Sequence, residues 1–281
     1  MVIWQADLHR PPLTDEQGQP LWEFLLCDPQ FKFSYGALVP QAQLNSGWVA
    51  EQLKQAIHRA GETPDRLQFF RPQAESLLRL ASEALGIDIE PTRQTPTLHR
   101  WLQQRTQWYP SLQGHTGEGY APLRLDSPPP QPLPEELWGE QWRFAGMKAG
   151  DFEQTLPYEP IPIRHLPPEL MPVNFGLPST TPLPGVVIDA GRQSITLCRW
   201  LQSARPAWIA YIAGEPDGLI LHAGLVDRWI LTTFSDADVA EAGQLFEQRK
   251  RQSGGLHFLL VRPDDSGMTN TGLWLLRQLG D

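Results

Sequence analysis

Apolar positions along the first hundred residues recur at two spacings. Residues 3–8, 21–27 and 31–39 alternate apolar with polar or run apolar, and turn chemistry at Asp15-Glu16-Gln17-Gly18 and Asp28-Pro29 separates them. That pattern predicts a three-stranded antiparallel meander. The spacing then changes: Trp48, Leu53, Ala56 and Ile57 share a face of a helix over 48–58, with Asn45 or Ser46 placed to cap it and Gly61 to end it. A strand over 66–70, a helix over 73–85 closed by Gly86, a strand over 87–90 and a helix over 97–108 follow. The order is β-β-β-α-β-α-β-α, that of ribonuclease H-like domains.

Between Ser111 and Pro184 lie 15 of the 28 prolines, with the run Ser127-Pro-Pro-Pro-Gln-Pro-Leu-Pro134 among them. Proline removes backbone donors and disfavours helix before it, so this stretch is expected to be extended or irregular. Trp138, Trp142 and Phe144 stand within it, and aromatics at that density cover a domain surface rather than dangle from a linker.

The last third repeats the opening rhythm. After a helix near 195–202, strands over 208–213, 219–223 and 229–234 form a second meander, and Ser235 or Asp236 caps a helix over 237–252 that Gly254-Gly255 stops before a strand over 256–261. Arg71-Pro72 and Arg262-Pro263 then hold matching places, which suggests a duplicated β-β-β-α-β unit. The fold class expected is mixed α/β, in two domains that each open with a meander. An N-terminal domain covers 1–125, a Pro-rich, acidic connecting segment packed on the domains covers 126–185, and a C-terminal domain covers 186–281.

Charge and composition narrow the function. The longest apolar stretches, 208–213 and 228–234, fall far short of the roughly 20 residues that span a bilayer, and no basic region with an apolar stretch and cleavage site opens the chain. A cytoplasmic protein without an integral membrane segment is expected. Cys27 and Cys198 stand alone, so neither a disulfide framework nor a zinc site is indicated. The net charge of −9 opposes binding to phosphate. Eight acids against three bases between Asp126 and Gly185 carry five of those charges, however, and the basic residues are 19 Arg and only four Lys. Arg both forks onto phosphate and stacks on rings; a genomic bias toward Arg is the competing source.

The element order raises metal-dependent nuclease chemistry, which needs carboxylates converging on metal ions. Asp7 and Glu51 suit, but the fourth strand ends in Arg71; in the second half Asp264 and Asp265 end the matching strand, while residues 208–213 carry no acid. Each half lacks a ligand. No GxSxG, GxxxxGK[ST], HExxH or strand-following GxGxxG is present, so no enzyme activity and no cofactor are expected. A different grouping stands out: Arg93, His99, Arg100, Trp101, Arg105, Trp108 and Tyr109 fall within 17 residues. Aromatic platforms beside Arg are what single-stranded RNA uses. Leu98, Trp101, Leu102 and Tyr109 also form a helical core stripe, which leaves Arg93, Arg100, Arg105 and Trp108 as the open candidates. Arg199, Arg205 and Arg228, around the second meander, are a second set.

Several motifs in order resemble the Tab-type RNA-binding family of cyanobacteria and chloroplasts. They are Ile3-Trp-Gln-Ala-Asp-Leu-His-Arg-Pro11, Leu21-Trp-Glu-Phe-Leu-Leu-Cys-Asp28, Ile87 to Arg93 before the helix carrying Trp101-Leu102 and then Trp108-Tyr109-Pro110, Leu133-Pro-Glu-Glu-Leu-Trp-Gly-Glu-Gln-Trp-Arg-Phe144, Gly255-Leu-His-Phe-Leu-Leu-Val261 and Gly272-Leu-Trp-Leu-Leu276. The resemblance covers nearly the whole chain and departs from the usual form at Gln5-Ala6 and His9. It implies a non-catalytic factor for translation of the mRNA of a photosystem I reaction-centre subunit, with an A/U-rich single-stranded 5′ leader as ligand and other translation or assembly factors as possible partners. An assembly factor for photosystem I acting through protein contacts is the alternative, and a degenerate nuclease a distant third.

Overall fold

The computed structural model describes residues 1–280, in two units, 1–126 and 127–280. In the first, β1 (Ile3–His9), β2 (Leu21–Cys27) and β3 (Ser34–Pro40) form the meander, and α1 (Ser46–Ala60), β4 (Arg66–Phe69), α2 (Glu75–Glu83), β5 (Asp88–Pro91) and α3 (Pro96–Trp108) follow. The sheet order is β3-β2-β1-β4-β5, with β1/β2 and β2/β3 antiparallel and β1/β4 and β4/β5 parallel. This is the ribonuclease H-like arrangement. The Asn45 side chain caps α1 by accepting from the Trp48 amide, and Gly61, at φ 72°, ends it. Central β1 is buried from Trp4 to His9, as a strand covered on both faces must be.

The meander departs from the expected strand bounds between β2 and β3. Residues 28–33 are a turn, and β3 begins only at Ser34. The Asp28 carboxylate accepts from the amides of Gln30 and Phe33, and the Phe31 amide donates to the Asp28 carbonyl at 3.0 Å. This side-chain chemistry outcompetes the strand and leaves Phe31 at φ 58°, a left-handed conformation uncommon for a bulky residue.

In the second unit β6 (Gln131–Pro132), β7 (Gln141–Lys148), α4 (Asp151–Gln154), β8 (Ile163–His165), β9 (Pro182–Asp189), α5 (Ser194–Ala204), β10 (Pro206–Ile212), β11 (Asp217–Ala223), β12 (Asp227–Phe234), α6 (Ala237–Gln252), β13 (Leu256–Arg262) and β14 (Gly272–Arg277) build two sheets, ordered β10-β11-β12-β6 and β7-β9-β13-β14-β8. The second meander is present. The strand after α6, however, pairs with β9 and β14 in the other sheet, not with the first strand of the meander. The proposed β-β-β-α-β duplication is therefore corrected: the meander and β13 belong to different sheets.

The Pro-rich stretch supplies β7, which pairs with β9 along its whole length, and β8, which extends the sheet beside β14. Trp142 and Phe144 pack on Phe234 and Phe246 in one core, which also holds Leu197, Leu201, Ile209 and Val261. On the other face of the five-stranded sheet Phe152, Leu183, Val187 and Phe258 form a second core. Gly185 on β9 faces the Phe258 ring, and a Cβ there would collide with it, so the close packing of β9 on β13 depends on this glycine.

Candidate nucleic-acid interface

The Arg- and aromatic-rich helix α3 lies over β1 and β2, where Leu98 and Leu102 pack on Leu25 and Phe70 beside a buried polar network. Asp7, wholly buried on β1, accepts two bonds from Arg71, at 2.9 and 3.1 Å. Arg71 also donates to the Pro122 carbonyl at 2.8 Å. His9 Nδ1 lies 3.0 Å from Asp7, and His9 Nε2 lies 3.0 Å from the Tyr109 hydroxyl, which donates to Glu23. Arg105 closes the chain by pairing with the buried Glu23 carboxylate. Burial works against ionising Asp7, but the Arg71 guanidinium, aided by His9, overrides it and holds the carboxyl well below its usual range. Burial lowers the pKa of His9 despite the pull of Asp7, and pushes His99, against Phe70, down to about 4. Neither histidine adds positive charge at neutral pH.

This network engages the acid of the first unit that nuclease chemistry would need. The acid on β1 is engaged by a guanidinium at the end of β4, where a second carboxylate would have to stand, and Glu51 is exposed on α1. In the second unit Asp264 accepts from the Ser266 amide in an exposed turn, whereas Asp189 on β9 is paired with Arg143 and Arg262. Arg71 and Arg262 thus do share a role, each engaging an acid on the neighbouring parallel strand, β1 or β9. Among the described residues no group of three or more His, Cys, Asp or Glu side chains is arranged to hold a metal ion.

Outside this network, α3 and the 28–33 turn make a surface. Phe31 and Trp108, each 42% exposed, mark its two ends. Phe31 meets Trp101 edge to face, ring centres 5.4 Å apart, and the Arg105 guanidinium sits 5.8 Å from the Trp101 ring and 4.2 Å from the Trp108 ring. Arg100 is exposed beside them, donating at 3.3 Å to Thr97, whose hydroxyl donates to the Pro29 carbonyl at 2.6 Å and so ties the helix to the turn. From Pro91 to Gly117 the chain carries Arg93, Arg100 and Arg105 and no acid.

The expected open set is therefore redrawn. Arg100 and Trp108 are exposed as expected. Arg93 is only 8% exposed, and Arg105 is mostly buried because Glu23, on the neighbouring strand, needs a counter-charge in the core. Trp101 is half-buried rather than core, at the margin of the cluster of Leu25, Phe70, Leu98 and Leu102. In the second unit Arg199 is exposed on α5, Arg205 is exposed at the left-handed end of that helix, and Arg228 is half-buried on β12. Arg199 and Arg228 each neighbour a half-buried ring, Trp200 and Trp229, which meet edge to face with centres 5.2 Å apart. Phe31, Gln30 and Gln104 escaped the sequence reading; the Asp28-Pro29 turn was the available signal, read as a strand boundary rather than as the start of a surface loop.

Comparison with known proteins identifies relatives of the chain. The chain is 28% identical over 98% of its length to a chloroplastic protein TAB2 homolog of Zea mays, of which 71% is covered, and 27% identical over 98% to one of Arabidopsis thaliana, of which 74% is covered. Among solved structures, the catalytic core domain of BIV integrase matches 39% of this chain and 71% of its own at 18% identity and a TM-score of 0.28, and the catalytic domain of Mos1 mariner transposase matches 40% and 61% at 15% and 0.28. Likenesses that slight carry no argument about activity. Family models for the N-terminal and C-terminal domains of the RNA-binding protein Tab2/Atab2 match residues 3–105 and 120–277; the chain belongs to the Tab2/Atab2 RNA-binding protein family.

Proposed function

We propose that the chain binds single-stranded RNA through the face made by α3 and the 28–33 turn, and that this contact promotes translation of the mRNA of a photosystem I reaction-centre subunit, without catalysis and without a cofactor. The observation that carries the first part is the grouping of exposed Phe31, Arg100 and Trp108 around half-buried Trp101, with Arg100, Trp101 and Trp108 on a stretch of chain free of acids. Rings give sequence-tolerant stacking and Arg gives phosphate contact, which is the combination single strands require. The role in translation rests on the family and on the chloroplastic relatives. An A/U-rich 5′ leader is the ligand to test first.

The assembly-factor reading draws on a separate observation. In the second unit an apolar cavity of about 430 Å³ opens beside the exposed Trp138 ring, lined by Leu133, Leu137, Trp142, Ile188 and Ile230, which a protein partner could fill. Titration of labelled leader RNA with wild type and with Arg100→Gln/Trp108→Ala separates the two. The RNA reading requires binding by wild type and a loss of about tenfold or more in the variant. Absence of binding by wild type at low salt would favour the protein-contact reading.

A further inference from the structure

Between the 28–33 turn and α3 lies a cavity of about 180 Å³, lined by Gln30, Phe31, Thr97, Arg100, Trp101 and Gln104. We infer that it receives a single unpaired nucleobase, stacked against the Phe31/Trp101 pair and read along its edge by the Gln30 and Gln104 amides, while Arg100 holds the adjoining phosphate; this deepens, and rests on, the RNA-binding reading above. Four observations lead there. The volume is that of one heterocyclic ring system. Two aromatic walls meet edge to face at 5.4 Å, so an incoming ring can lie flat against one and edge-on to the other, the two arrangements that aromatic quadrupoles favour.

The polar lining is the third observation, and it selects the ligand. Each glutamine amide offers donors and an acceptor, and Arg100 offers donors only. An apolar side chain of a partner protein would bury these groups without partners, at a cost, whereas a base carries donors and acceptors on its edge and a phosphate beside it. Fourth, the walls are fixed in advance. Asp28 holds the turn through the amides of Gln30 and Phe33, and Thr97 ties α3 to Pro29. Phe31 is kept at φ 58°, a conformation that costs energy and that the surrounding bonds maintain. Without that left-handed step β3 would begin three residues earlier, and Phe31 would join the alternation of a strand instead of standing at the mouth of the cavity.

A base inside a duplex cannot enter, so the readout is the preference for single over double strands. Wild type, Phe31→Ala, Gln30→Ala/Gln104→Ala and Arg100→Gln are each titrated with a labelled RNA, alone and annealed to its complement, after thermal melts have established that all four are folded. Both glutamines are exposed, so their loss leaves the fold intact even if the turn rearranges in Phe31→Ala. The expected result is a wild-type preference for the single strand of about tenfold, abolished in the glutamine pair and in Phe31→Ala, with the residual affinity weakened further by salt. If the glutamine pair keeps the wild-type preference, or if wild type binds duplex as tightly as single strand, the base pocket is overturned while RNA binding stands. If wild type binds neither RNA, both this inference and the RNA reading fall.

Discussion

Asp7 and Arg71 show how much a single pair can hold in this protein. The carboxylate is wholly buried and the guanidinium nearly so, and removing one partner of such a pair strands the other charge in the interior. Arg71→Met is expected to cost about 3–5 kcal/mol in denaturant titrations, and Asp7→Asn/Arg71→Met distinctly less than the sum of the two single changes. Additive losses would mean that the pair is not coupled.

The buried histidines set a pH dependence. Burial first, with Lys250 adding to it, pushes His257 down to about 3, and His99 stands at about 4. The unfolded chain takes up these protons below about pH 6.5 while the folded chain refuses them. Their stability is therefore complete above that value and is lost as pH falls toward 4 and 3. Asp7, depressed in the folded state, adds a loss in the same direction, but only below the ordinary carboxylate range. Urea midpoints should fall steadily from pH 7 to pH 5, and His257→Gln should flatten that slope; a flat wild-type profile would refute the assignment. None of this was legible in the sequence, where each histidine stands alone and only the fold reveals that His257 accepts from the Ile209 amide at 2.8 Å.

At the scale of elements, α3 separates binding from folding. Arg100 is exposed and Arg105 is paired with buried Glu23, so the two arginines, similar in the sequence, should behave differently. Arg100→Gln is expected to leave the melting temperature within about a degree, since exposed charges contribute little to folding. Arg105→Gln should cost on the order of 3 kcal/mol by stranding Glu23. Equal thermal stability of the two variants would contradict the placement of Arg105. The periodicity of α3 and of both meanders was readable because strands and helix there are bounded by local turn and cap chemistry, such as Asn45 and Gly61. Strand β7 was not readable as such, since its partner β9 lies some 40 residues on and pairing at that distance leaves no local period. Arg105 misled for a similar reason: its partner is 82 positions away.

For the whole molecule the governing fact is a net charge of −9 combined with a family defined by RNA binding. Affinity must then come from a few phosphate contacts placed where acids are absent. If about two or three phosphates are engaged, affinity should fall about tenfold between roughly 50 and roughly 200 mM salt. A fall of several orders of magnitude would require many more phosphate contacts than these. The most direct test of the central claim is photocrosslinking of the protein to single-stranded leader RNA, followed by mapping of the modified peptides. Crosslinks concentrated in residues 28–33 and 97–108 are the predicted result; crosslinks confined to the second unit, around Arg199, Arg205 and Arg228, would contradict it.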